Sequence, residues 1–71
     1  MVDMKYSDIR ERMHSLIIDY IDDEILQSQL LEKINTENGI RGVLYALDEN
    51  KTRKFSEEDE NFCKDLFFYF G

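Results

Sequence analysis

Residues 36–55 read TENGIRGVLYALDENKTRKF, and two incompatible structures can be written onto them. As a helix, the stretch has Thr36 for an N-cap and carries Ile40, Val43, Leu44 and Leu47 at i, i+3, i+4 and i+7, which is a single apolar face. As a hairpin, residues 42–47 and 52–55 become strands joined by a turn at 48–51. The alternation of apolar and polar residues that a half-buried strand requires is poor here, so the helix is favoured. The fold class expected is all-α, with an α+β chain carrying a hairpin at about 42–55 as the alternative.

Working toward the N-terminus, Ser7 is a good N-cap. From it Ile9, Met13, Leu16, Ile17 and Tyr20 fall at the spacing of an amphipathic helix. At about 100° per residue, Leu30, Leu31 and Ile34 continue that stripe, yet Asp23, Glu24 and Gln27 would sit on it while Ile25 and Leu26 point elsewhere. A break resolves the conflict. A second helix, capped by Asp22 or Asp23 and running to about Asn35, buries Ile25, Leu26, Leu30 and Ile34 together; one long helix with a solvated middle turn is the alternative. Toward the C-terminus, Ser56 followed by Glu57, Glu58 and Asp59 is an N-cap with carboxylates at the positive end of a helix dipole. The helix predicted there carries Phe62, Cys63, Leu66, Phe67, Tyr69 and Phe70 on a wide aromatic face. Three to four short helices with short connections make a small bundle, a single acidic domain over residues 1–71.

The 71 residues carry 16 Asp and Glu against 9 Lys and Arg, a net charge of -7, with 42% apolar and 35% charged residues. That is too apolar for a disordered tail. So much negative charge on a small body repels nucleic acid and anionic membranes and favours a basic partner. A chain this short buries only about 60% of its unfolded surface, so its stability is marginal unless an interface adds burial. Disulfides cannot supply the difference, because Cys63 is the one cysteine, and a Cys/His zinc site cannot either, because His14 is the one histidine. No apolar run reaches the length of a membrane span, and the start MVDMKYSD has neither a basic n-region nor an apolar h-region, so a cytoplasmic chain is expected.

Residues 48–59, DENKTRKFSEED, resemble an EF-hand loop in part: Asp48, Asn50, Thr52, Phe55, Ser56 and Asp59 take its first, third, fifth, eighth, ninth and twelfth positions. The departures are serious. Arg53 replaces the turn glycine, Asp59 replaces the bidentate Glu, and Lys51, Arg53 and Lys54 put positive charge where a divalent cation would sit. Neither a metal nor another cofactor is expected. The same three cations form the one basic cluster, and pairing with Glu57, Glu58 or Glu60 would absorb them.

The remaining chemistry is thin. His14 falls on the polar flank of the first helix, and Cys63 on an apolar face as a buried small hydrophobe. No phosphate loop, nucleophile elbow or H-E-x-x-H is present, and no pocket is visible that would separate the pKa values of paired carboxylates, so no enzyme activity is expected.

The carboxylates are more informative. Asp8, Glu11, Asp19 and Asp22 fall within about 80° on the helical wheel of the first helix, and Asp23, Glu24, Glu57 and Glu58 add to them at the next helix starts. Such a face could imitate the phosphate track of DNA, although four charges over about 21 Å are sparse beside one per about 1.7 Å in the duplex. Phe68 and Ile18 have no place in a monomer core. With Phe67 and Tyr69 they define a candidate apolar interface, and a homodimer through the last helix is expected.

Two functions fit these features. The first is a small acidic protein that acts by stoichiometric contact as an inhibitor or regulator of a basic, nucleic-acid-handling protein, of the phage-inhibitor, anti-defence or antitoxin type. The second is a structural or assembly module, a helical dimer within a larger complex.

Overall fold

The computed structural model describes residues 5–70, in which four helices follow one another: α1 Tyr6–Tyr20, α2 Glu24–Lys33, α3 Glu37–Asn50 and α4 Glu57–Phe70. No strand occurs among the described residues, so the hairpin at 42–55 is excluded: residues 42–50 are helical and 51–56 form a loop. Thr36 is the N-cap, its Oγ1 accepting from the Gly39 N–H at 3.0 Å. Ile40, Val43, Leu44 and Leu47 are all buried, as their spacing requires. The α2–α3 turn is tight enough that a Cβ on Gly39 would lie 1.6 Å from the Lys33 carbonyl oxygen.

The break between α1 and α2 is real. Ile21 turns extended, φ -111° and ψ 120°, and its side chain is buried. Asp23 caps α2 by accepting from the Ile25 and Leu26 N–H groups, and the Gln27 amide donates to the Ile21 carbonyl. One long helix would have put Asp23, Glu24 and Gln27 on the buried stripe instead.

Three expectations are corrected. Ser7 is not the N-cap of α1: the helix starts after Lys5, which makes no side-chain cap bond, and Tyr6 is already helical, its hydroxyl donating to the Ile34 carbonyl at 2.8 Å. Ile25 is 73% exposed, because Leu26, Leu30 and Ile34, four residues apart, set the buried face and Ile25 lies about 100° to one side of Leu26. On α4, Phe62, Cys63 and Leu66 are buried, but Phe67 and Tyr69 are exposed. The helix packs chiefly against α3 and meets α1 along one edge, and that covers only a narrow strip. The Phe70 side chain, which the spacing put on that face, lies outside the described residues, as do Met1–Met4 and Gly71.

The hydrogen bonds between helices define the connectivity in space. The start of α1 meets the end of α2 through Tyr6 and Ile34, and the end of α1 meets the residues after α3 through Tyr20 and Thr52. The start of α4 is held there too, by Tyr20 and Ser56. The core runs from Ile9, Met13 and Tyr20 through Leu30 and Ile34 to Ile40, Leu47 and Leu66. Among the described residues no buried side-chain nitrogen or oxygen lacks a hydrogen-bond partner. No helix in them is long and apolar enough to cross a membrane.

Candidate functional site

Tyr20 is the residue that arranges the acidic surface. Its ring is buried, yet its hydroxyl donates to Asp59 Oδ2 at 2.7 Å and accepts from the Ser56 N–H at 3.1 Å. Its carbonyl accepts from both the N–H and the hydroxyl of Thr52, at 2.9 and 3.2 Å. Phe55 packs edge-on against the ring at 4.7 Å, and the Arg53 guanidinium lies 4.2 Å from its centroid. One residue at the end of α1, through its backbone carbonyl as well as its side chain, therefore holds most of the 51–56 loop and the cap of α4.

The consequence is that Asp19, Asp22, Asp23 and Glu24, at the α1–α2 corner, share one end of the molecule with Glu57 and Glu58 in the first turn of α4. Asp8 and Glu11 stand apart, toward the start of α1, where they line an open groove of about 950 Å³ together with Arg10, Arg12 and His14. That groove is mixed in charge. The stripe expected along α1 is also shortened: α1 ends at Tyr20 and Ile21 turns inward, so Asp22 belongs to the corner and not to the wheel of α1.

All eight of these carboxylates are exposed, and none takes part in the ion pairs among the described residues, which join Arg12 to Asp59, Lys51 to Asp48 and Lys64 to Glu60. Two more cations lie over aromatic rings, Arg10 over Tyr6 and Arg53 over Tyr20 at the corner itself. Of the three cations expected to pair with Glu57, Glu58 or Glu60, Lys51 goes to Asp48 and Arg53 to the Tyr20 ring, while Lys54 takes no ion pair among the described residues. Asp59 is drawn inward, its side chain 21% exposed. Partial burial pushes its carboxyl up, but hydrogen bonds from Tyr20, Ser56 and Arg12 outweigh this and hold it below its ordinary value of 3.8.

The partial EF-hand resemblance has no structural counterpart. Asp48 and Asn50 sit in the last turns of α3, Asp48 is bridged by Lys51 at 2.7 Å, and Asp59 is taken by Tyr20 and Arg12. No group of three or more His, Cys, Asp or Glu among the described residues is placed to hold a metal ion.

Of the candidate apolar residues, Phe68 is 90% exposed, Phe67 39%, and Ile18 and Tyr69 are also open. α4 begins beside Tyr20, so its aromatic residues lie about 15 Å further along the helix from the corner near Ile18, at about 1.5 Å per residue. Tyr45 joins the aromatic group instead: it is exposed and packs edge-on against Phe67 with centroids 5.3 Å apart. It was missed in the sequence, although the wheel that placed Leu44 on the buried face puts Tyr45 about 100° off it. Tyr20 and Asp59 were missed as a pair for a different reason, since 39 residues separate them and nothing local marks the contact.

No protein-family model matches the chain, and no curated protein or solved structure matches it.

Proposed function

We propose that this chain acts by stoichiometric contact, its acidic corner engaging the basic surface of a protein that handles nucleic acid and so blocking or sequestering it. The observation that carries this reading is the set of six carboxylates, Asp19, Asp22, Asp23, Glu24, Glu57 and Glu58, gathered at one end and outside the ion pairs among the described residues. The corner also carries the exposed Arg53 and Lys54 of the 51–56 loop, so it is negative in net charge and not of one sign. A net negative surface still raises the local concentration of a cationic partner and speeds association, an effect that salt screens. The exposed aromatic residues Tyr45, Phe67 and Phe68 supply apolar anchoring outside that corner.

A pull-down from native lysate at about 50 and 300 mM salt spans the range over which screening becomes strong. Capture of a DNA- or RNA-handling protein that is lost at the higher salt is the expected result. Capture that survives salt favours a second reading, a homodimeric assembly module built through α4, for which Phe68 is the motivating residue. In that reading the charge serves solubility only.

A further inference from the structure

The strongest remaining feature is a pocket of about 300 Å³ between α3, the 51–56 loop and α4. Leu44, Phe55, Cys63 and Phe67 give it an apolar lining, and Lys51, Lys54 and Lys64 stand around it with Asp48 and Glu60. Three of the nine Lys and Arg of a chain with net charge -7 thus meet at one cavity. Two of them are already matched: Lys51 is 2.7 Å from Asp48 and Lys64 is 3.2 Å from Glu60. Among the described residues Lys54 has no ion pair or hydrogen bond, and it leaves the cavity with one unmatched positive charge.

We propose that this pocket binds a small amphipathic monoanion, an aliphatic or aromatic carboxylate whose apolar body packs against Leu44, Phe55 and Phe67 while its carboxylate meets Lys54. The volume is at the lower end of small-molecule sites, which run from about 300 to 1,000 Å³, so a small acid of about eight carbons, carboxylate included, is the size to try. One negative charge fits and two do not, because a second would face Asp48 or Glu60. Cys63 does not oppose the anion: burial pushes its thiol up to about 11, and it is neutral near pH 7. A cationic amphiphile would meet the Lys54 ammonium, and a neutral one would gain only the apolar contact. This site adjoins the acidic corner through the 51–56 loop and shares Phe67 with the aromatic surface, but it takes an anion where the corner would take a cationic protein. A small-molecule titration reads it without any partner, so its failure and the failure of the proposed contact are distinguishable.

The test is a titration of the ¹⁵N-labelled protein with octanoate near pH 7, with octylamine and 1-octanol as parallel arms. Octanoate is expected to shift the amide signals of Leu44, Phe55, Cys63 and Phe67 saturably, with half-saturation on the order of 1 mM for ten non-hydrogen atoms. Lys54→Glu, at an exposed loop position, should leave the spectrum that of a folded protein and raise the half-saturation at least about tenfold. The proposal is overturned if octanoate fails to saturate, if octylamine or octanol binds as tightly, or if Lys54→Glu binds octanoate like the parent.

Discussion

The Tyr20 hydroxyl sits 2.7 Å from Asp59 Oδ2 and 3.1 Å from the Ser56 amide, so one buried oxygen both donates to a carboxylate of α4 and accepts from the residue that caps it. Tyr20→Phe removes that oxygen and leaves the Ser56 N–H and the inner face of Asp59 unmatched. The expected cost is about 1–3 kcal/mol, that of a stranded partner rather than of one average hydrogen bond. Urea unfolding with the ring contact to Phe55 retained isolates it. A loss indistinguishable from zero would mean that water replaces the hydroxyl.

The same network sets a pH dependence. Asp59 is held below 3.8 in the folded state, so its contribution to stability is fully present above that value and is lost as pH falls through the lower, folded-state value. Thermal midpoints of the parent and of Asp59→Asn should converge as pH is lowered from 5 toward about 2, because only the parent has this contribution to lose. Parallel midpoints across the range would show that Asp59 is not preferentially ionised by folding.

Cys63 acts at the other end of the scale. Burial, with a smaller contribution from Asp59, pushes its thiol from 9.0 up to about 11, so the group favours the folded state below pH 9 and that contribution disappears as pH rises toward 11. Cys63→Ala should flatten the stability profile between those values. At pH 8 a thiol reagent should modify the native protein only as fast as it opens. Rapid stoichiometric labelling under native conditions would contradict the buried assignment.

The two helical glycines of α3 should respond in opposite directions. Nothing lies within 4 Å of a Cβ built on Gly42, which is exposed in mid-helix, so Gly42→Ala should stabilise by about 0.5–1 kcal/mol. A Cβ on Gly39 would meet the Lys33 carbonyl oxygen at 1.6 Å and the Thr36 cap at 2.9 Å, so Gly39→Ala must spread the α2–α3 turn and should destabilise. Thermal unfolding of the two variants side by side checks the contrast. Stabilisation by both would mean that the turn can open without loss.

What the sequence made legible is whatever repeats locally. The Ile40, Val43, Leu44 and Leu47 face, the Thr36 and Asp23 caps and the break before α2 all follow from spacings of a few residues, and each is present. Boundaries and half-buried faces were less legible. Whether Ile25, Phe67 or Tyr69 is covered depends on which neighbour lies alongside, and α4 is flanked on too few sides to cover its whole aromatic face. The candidate surface was legible as a list of exposed carboxylates. Its division into a corner and a separate pair was not, because that depends on Tyr20 gripping a loop more than thirty residues away. The pocket around Lys54 was hidden for the same reason, since Leu44, Phe55 and Phe67 come from three different segments.

The proposed contact is tested most directly at the corner by replacing Asp19, Asp22 and Asp23 together with Asn. Asp19 and Asp22 are exposed and outside the ion pairs, so their charge can be removed without stranding a partner. Asp23 caps α2 through Oδ1, which accepts from the Ile25 and Leu26 amides, and Asn presents the same oxygen and caps about equally well. The triple variant should therefore keep its thermal midpoint, while association with a captured basic partner slows and loses part of its salt dependence, because fewer charges steer the encounter. Ile18→Ser and Phe68→Ser serve as the opposing controls: they leave the net charge unchanged and should alter dissociation more than association. Unchanged affinity in the triple variant, with loss in Phe68→Ser, would move the contact to the aromatic face of α4 and reduce the acidic corner to a solvated surface.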